Sequence, residues 1–250
     1  MDPIEKQAGV SEDNFWHRAK LGLIGALLTK AGARGKDILV IGCGTGNDLK
    51  VIRGYANRLI VCDINKEALK SITGKAVKIC ADATALPLET GTVDVVLSLD
   101  VFEHIPDDGK AIGECRRVLR KRGKLIFTAP AWSSLYSGFD SQVQHVRRYN
   151  RAELEKKLVS FRKVYLSYWN FLLFPAFAAE RLIRKQTEKR AGKQGIGKQG
   201  LKASDMDDAA RLPKPLNVLL YGILSIDAWL IRKGARLPWG LSLCGIYQKR

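Results

Sequence analysis

The strongest constraint on the fold is a rhythm. Five short apolar runs, DILVIG (37–42), RLIVCD (58–63), VKICAD (77–82), VDVVLSL (93–99) and GKLIFTAP (123–130), alternate with helix-forming stretches. The runs are apolar throughout and do not alternate with polar residues. Such strands are buried on both faces, which predicts a mostly parallel sheet with helices on either side. The intervening stretches agree. NKEALKSI begins with Asn65 as a helix cap, and GKAIGECRRVLR is amphipathic. A helix is also expected over 15–33, ahead of the first strand.

The rhythm changes after Pro130. A polar, aromatic-rich loop (131–149) leads to a helix at RAELEKKLVS, with Asn150 as its cap, and then to a strand, FRKVYLSYW (161–169). The last apolar run, LSLCGIYQK (241–249), reads as another strand. Between these two strands lies an inserted section with two apolar helical stretches, FLLFPAFAAERLIRK and PLNVLLYGILSIDAWLIRK, joined by the Gly/Lys-rich KRAGKQGIGKQGLK. The expected organisation is an N-terminal helical segment (1–35), a core (36–170), a basic and apolar helical insertion (171–236) and a final core strand (237–250).

The first strand runs into IGCGTGND, where Gly42, Gly44 and Gly46 allow a tight turn and a close approach of backbone to a ligand at a helix N-terminus. Asp63 ends the second strand, where a carboxylate can accept both hydroxyls of a ribose. Asp82 closes the third in the same way. The spacing is GxGxG and not the dinucleotide GxGxxG, so it suits a nucleoside with no pyrophosphate to cradle. Together, VIGCGTGNDL, VCDIN, ADATALPLETGTVDVVLSLDVFEHI and RRVLRKRGKLIFTAP resemble the class I S-adenosylmethionine-dependent methyltransferases over roughly residues 36–160.

The resemblance implies a Rossmann-like, seven-stranded sheet whose last strand is antiparallel, and S-adenosylmethionine as methyl donor. It sets Gly42, Gly44 and Gly46, with Cys43, against the donor's amino-acid part. Asp63 and its neighbour Ile64 face the ribose, Asp82 and Ala83 the adenine, and Leu99 and Asp100 the methionyl moiety. Three roles are open to the rest of LSLDVFEHIP (97–106). Glu103 and His104 can serve local packing and capping, act as a general base, or hold a divalent ion such as Mg²⁺. The last role follows a similarity to ubiquinone-type and small-RNA O-methyltransferases, which carry an acidic-x-x-Glu-His string here. His145, in the loop after the fifth strand, is a further candidate base or ligand. The adjacent Arg147, Arg148 and Tyr149 can clamp an anion or anchor the next helix.

The charge bears on partners. With 42 Lys and Arg against 25 Asp and Glu, the net charge is +17, which favours polyanions. The cations cluster around the apolar insertion, and no recognised RNA-binding module accompanies them. The expected partner is therefore an anionic membrane surface bearing a lipid, quinone or lipid-linked glycan acceptor, with a cytoplasmic, peripheral location. Nucleic acid is the alternative partner, and a non-catalytic donor-binding accessory role the alternative function. A helical hairpin packed on the domain or in a dimer is the other reading of the insertion. Five cysteines without a paired spacing read as small buried thiols of a reducing compartment. The polar, partly acidic N-terminus does not read as a signal peptide.

Overall fold

The computed structural model describes residues 14–193 and 212–250. The first 13 residues and most of the basic linker lie outside this range. α1 (Phe15–Ala31) precedes β1 (Lys36–Ile41), α2 (Leu49–Ile52), β2 (Ala56–Asp63), α3 (Lys66–Ser71), β3 (Val77–Cys80), β4 (Val93–Leu99) and α4 (Asp108–Val118). β5 (Leu119–Pro130), α5 (Gly138–Gln142), α6 (Arg151–Lys157), β6 (Phe161–Trp169), α7 (Phe174–Lys193), α8 (Lys214–Lys233) and β7 (Ser242–Lys249) follow.

Among the described residues these strands form one seven-stranded sheet in the order β3-β2-β1-β4-β5-β7-β6. The first five pair in parallel, and β7 runs antiparallel between β5 and β6. Reversal of the chain order beside β1 places a crevice at the carboxyl ends of the parallel strands, where open α/β sheets bind ligands. β1 and β4 are buried on both faces, with α1 and α8 against one side and α4 and α6 against the other.

Local chemistry sets the element ends. Asn14 caps α1 through the Trp16 amide, and Gly32 ends it in the left-handed conformation. Asn65 accepts from the amides of Glu67 and Ala68 at the start of α3. A reciprocal Asn150–Glu153 capping box opens α6. The third strand is shorter than the apolar run suggests, because the chain turns at Asp82, whose carboxylate accepts the Thr84 amide at 2.7 Å.

α7 and α8 lie between β6 and β7. α8 is long and apolar enough, by length and composition, to cross a membrane. One of its faces is nevertheless packed: Leu224, Ala228 and Ile231 are buried in the core shared with α1. Asp227 is buried on the same face and accepts the Phe171 amide at 2.6 Å. The opposite face leaves Val218, Leu219, Ile226 and Trp229 exposed, with Trp229 56% accessible. Their spacing is that of one helical face. Of the five free cysteines, Cys62, Cys115 and Cys244 are buried as expected, whereas Cys43 is half-buried and Cys80 exposed.

Candidate active site

The carboxyl edge of the sheet divides into two halves. On the first, Gly42, Gly44 and Gly46 all have positive φ (59°, 52° and 87°), a conformation that disfavours a side chain. Gly42 is also required sterically, since a Cβ there would lie 2.5 Å from a methyl of Val101. This contact presses the glycine turn against the segment that follows β4. Asp63 is buried, and its carboxylate accepts the Gly44 amide at 2.7 Å and the Asn65 amide at 2.8 Å. Each carboxylate oxygen keeps a second lone pair for a ligand. Ile64 beside it is 72% accessible. Asp82 and Ala83 follow β3 on the same edge, adjoining Asp63 through the bond from the Ala81 amide to the Asp63 carbonyl. Leu99 is buried at the end of β4, and Asp100 takes a left-handed backbone conformation (φ 58°), an uncommon cost for a residue with a side chain. The Cys43 thiol is pushed up to about 12 by burial and by Asp63, so it is inert at neutral pH. The glycine turn, the buried Asp63 with its spare lone pairs and the exposed Asp82 fit an adenosine and an amino-acid moiety.

Sequence reasoning passed over Lys20 in this half. Its ammonium, on α1, lies 3.1 Å from Asp100 and 3.3 Å from Asp48. Lys20 falls three and four residues before Leu23 and Ile24, on the buried stripe of the helix. A charged residue on such a stripe is the signal that reveals it.

The second half is built where the loop after β5 folds onto the end of β4. The Val146 amide donates to the Glu103 carbonyl at 2.9 Å. His104 Nδ1 lies 3.2 Å from the Gln144 carbonyl, presented by a left-handed turn at Gln144. The rings of His104 and His145 meet edge to face with centroids 4.7 Å apart. Glu103 is fully buried, and neither carboxyl oxygen has a hydrogen-bond partner among the described residues. His145 Nε2 is 4.0 Å from one of those oxygens. Burial, then Asp100, push Glu103 well above the usual carboxylate range against the pull of Lys20 and Arg148. Burial and the neighbouring His145 bring His104 down to about 4.

His145 is oriented from behind. Its Nδ1 lies 3.1 Å from Asp140 Oδ1, and Asp140 also accepts from Arg148 Nε at 2.8 Å and Arg181 at 3.3 Å. Burial alone would raise Asp140; the bond to His145 and the two guanidinium groups outweigh it and hold the carboxylate below its ordinary range. Asp140 is a second residue that sequence reasoning missed, although Ser137-x-x-Asp140 forms a capping box, a readable signal. Arg181 belongs to α7, so the insertion reaches into this network, and Lys185 donates to the Ser134 carbonyl at 2.8 Å.

The proposed anion clamp is not assembled. Arg148 is buried on Asp140 and the Ala131 carbonyl, Tyr149 donates to Asp108 at 2.7 Å, and Arg147 bonds Pro106 and Asp108. These residues anchor the loop.

Glu103, His104 and His145 each offer a ligand atom, and these atoms lie within 4.8 Å of one another. Two of the three donors are imidazole nitrogens, and Asp100 is instead paired with Lys20. Mg²⁺ takes oxygen ligands, so this donor set does not fit Mg²⁺, one of the three roles the sequence left open here.

Residues 39–127 match the family model of the methyltransferase domain. A Mycolicibacterium smegmatis protein named a "probable S-adenosylmethionine-dependent methyltransferase" is 30% identical over 155 residues, 60% of this chain and 60% of its own. A Mycobacterium tuberculosis H37Rv protein named in the same way is 30% identical over 152 residues, 59% of this chain and 55% of its own. The matched stretch thus spans less than two thirds of either relative. Among solved structures, the geranyl diphosphate C-methyltransferase of Streptomyces coelicolor A3(2) aligns over 90% of this chain and 74% of its own, at 12% identity and a TM-score of 0.56. The cyclase SpnF aligns over 89% of this chain and 80% of its own, at 16% identity and a TM-score of 0.52. These likenesses establish the fold, and a fold alone does not fix a reaction. Residues 39–127 are thus similar to a methyltransferase domain, and the chain has the Rossmann-like fold of the solved structures it matches.

Proposed function

We propose that this chain transfers a methyl group from S-adenosylmethionine to an acceptor oxygen on a lipid, quinone or lipid-linked glycan at a membrane surface. When bound, the donor supplies a methyl made electrophilic by its sulfonium. The protein's part is to bind, align and deprotonate. Gly42, Gly44 and Gly46 take the amino-acid end, Asp63 the ribose and Asp82 the adenine side. Asp48, Asp63 and Asp100 set a negative potential around a cationic ligand.

The observation that carries the reading is the Asp140–His145 pair beside the end of β4. With Nδ1–H directed at Asp140, His145 keeps a lone pair on Nε2 to receive the proton of an acceptor hydroxyl. Asp140 stabilises the imidazolium formed. Neutral His104 and the buried Glu103 line that position. The membrane part rests on the exposed apolar face of α8, flanked by Lys214 at one end and Arg232, Lys233 and Arg236 at the other, together with Leu182 and Ile183 on α7. Apolar burial and attraction to anionic lipid add at such a surface. The packed face of α8 favours lying in the interface over crossing it. Bonds from α7 to Asp140 and Ser134 would couple docking to the order of the acceptor loop.

The test is transfer of labelled methyl groups from S-adenosylmethionine into a membrane extract, with mass spectrometry of the product. A labelled lipid or quinone with a new methyl ether is expected. Labelling of RNA alone overturns the acceptor class, and no labelling in any fraction favours a non-catalytic donor-binding role.

The cluster of Glu103, His104 and His145 favours a second reading, in which it holds a first-row transition ion such as Mn²⁺ or Zn²⁺. One carboxylate and two imidazoles suit these ions, and with Nδ1 of each ring engaged by Gln144 or Asp140, Nε2 is the remaining donor. Elemental mass spectrometry of the purified chain separates the two. One ion per chain, lost in a His104→Ala variant, supports the metal; a metal-free chain with full activity leaves His145 as the base.

A further inference from the structure

We propose that a basic pocket at the amino edge of the sheet, opposite the glycine turn, is a second binding site, for a phosphate or diphosphate group. The pocket is a concavity of about 390 Å³ lined by Lys121, Arg122, Arg162, Gln248, Lys249 and Arg250. It forms where β5 enters the sheet, β6 begins and β7 ends. Between the pairs Val93–Leu119 and Val95–Lys124, β4 has one residue, Asp94, where β5 has four, residues 120–123. The extra residues bulge from the ladder, and within them Arg122 takes a left-handed backbone conformation (φ 64°). Lys121 and Arg122 are thereby carried out of the sheet and stand exposed beside the end of β7. The run of β5 from Lys124 to Pro130 separates this edge from the acceptor loop by roughly 20 Å. A ligand held here does not enter the crevice at the carboxyl edge.

The charges of the pocket are unanswered within the chain. Asp37 and Asp94, at the amino ends of β1 and β4, pair with Arg120, while Glu114 and Glu155 pair with Arg117 and Lys163. Among the described residues, none of the five pocket cations has a carboxylate partner. One amide ties the cluster together: Gln248 donates to the Arg122 carbonyl at 2.9 Å and accepts from the Arg162 guanidinium. Lys249 donates to the Leu119 carbonyl at 2.6 Å. Burial, together with Arg116, brings Lys249 below its ordinary range. Like charges gathered in this way repel, and a bound anion offsets that cost. Guanidinium groups beside ammonium groups suit the closely spaced oxygens of a phosphate, which arginine meets with paired bonds. No aromatic side chain is among the lining residues, so the pocket offers a nucleobase no stacking surface. A compact anion fits it better than a nucleic-acid strand.

The experiment is calorimetry of the full chain with inorganic pyrophosphate, in the wild type and in Arg122→Gln with Arg162→Gln. One saturable site per chain is expected in the wild type, weakened about tenfold or more in the double variant. Pyrophosphate should also raise the thermal midpoint of the wild type and leave that of the variant where it was. Lys75→Gln with Lys78→Gln removes two exposed cations at β3 and is expected to keep the wild-type affinity. An equal loss there would reduce the effect to net charge and overturn the site. Should the arginine variant not fold, the exposed Lys121→Gln alone is expected to weaken pyrophosphate about tenfold, and an unchanged affinity counts against the proposal. Vesicles carrying phosphatidic acid or phosphatidylglycerol at matched surface charge then separate the sources of the phosphate. Tighter binding to phosphatidic acid, lost in the arginine variant, assigns it to a lipid headgroup. Equal binding to both vesicles, with the pyrophosphate site intact, assigns it to a soluble ligand. No saturable pyrophosphate binding, or the same affinity in the arginine variant, overturns the proposal. Retention of single-stranded RNA without a pyrophosphate site overturns it in favour of a polyanion track.

Discussion

The two halves of the carboxyl edge, which we propose receive the donor and the acceptor, are built by different physics. The donor half is shaped chiefly by backbone: three left-handed glycines, strand ends in register and carboxylates that bond main-chain amides. The acceptor half is shaped by buried charge. Asp140 gathers His145, Arg148 and Arg181, and Asp108 gathers Tyr149, Arg147 and Lys157. A pocket for one constant ligand can be set by backbone geometry. A pocket whose acceptor changes between relatives can be altered by exchanging side chains on a loop.

The contrast can be broken at several points. The largest effect is expected in the acceptor half, where His145→Ala should lower turnover by about 100- to 10,000-fold. Its affinity for S-adenosylhomocysteine should stay within about twofold; a parallel loss of donor binding would mean the two halves are one structural unit. Next comes Gly42→Ala, which combines a left-handed φ with a clash on Val101. A cost of about 2–4 kcal/mol in denaturant unfolding is expected, with weakened donor binding. Unchanged donor affinity would remove the backbone argument.

A smaller effect concerns the surface. Val218→Glu with Trp229→Glu should reduce co-sedimentation with phosphatidylglycerol vesicles on the order of tenfold and leave donor binding unaltered, since both side chains face away from the core. Vesicle binding that persists would remove α8 as the docking face. The smallest concerns pH. Burial alone would raise Asp108, but bonds from Lys157 and Tyr149 and the charge of Arg147 hold it below the usual carboxylate range. A depressed carboxylate contributes stability above its unfolded pKa of about 4, and that stability is lost as pH falls through the folded value. Asp108→Asn should cost about 1–3 kcal/mol at neutral pH and flatten the acid limb of the stability profile. An acid limb identical to wild type would show that the Asp108 network adds nothing.

The same contrast explains what was legible in the sequence. The donor half could be read because its signals are local: a strand that ends in glycines, an aspartate at the end of the next strand, an asparagine cap at position 65. The mostly parallel sheet followed from the uniformly apolar runs, although β3 at the sheet edge is largely exposed, and the antiparallel last strand from the resemblance. The acceptor half depended on contacts across the chain. Arg148 and Tyr149 looked like ligands for an anion because their partners, Asp140 and Asp108, are distant in sequence or unremarked within a loop. The pairing of Glu103 with His145 spans 42 positions and is made by the turn at Gln144, whose left-handed backbone no residue type announces. Lys20 is a charge on the apolar stripe of α1 whose partners, Asp48 and Asp100, stand far along the chain.

The central claim is that the glycine turn, Asp63 and the end of β4 form one pocket for the donor. Calorimetric titration of the chain with S-adenosylhomocysteine tests it most directly. Saturable binding at one site per chain, weakened by Asp63→Ala, is the predicted result. A flat titration of the folded wild-type chain, or binding indifferent to Asp63, would contradict the account.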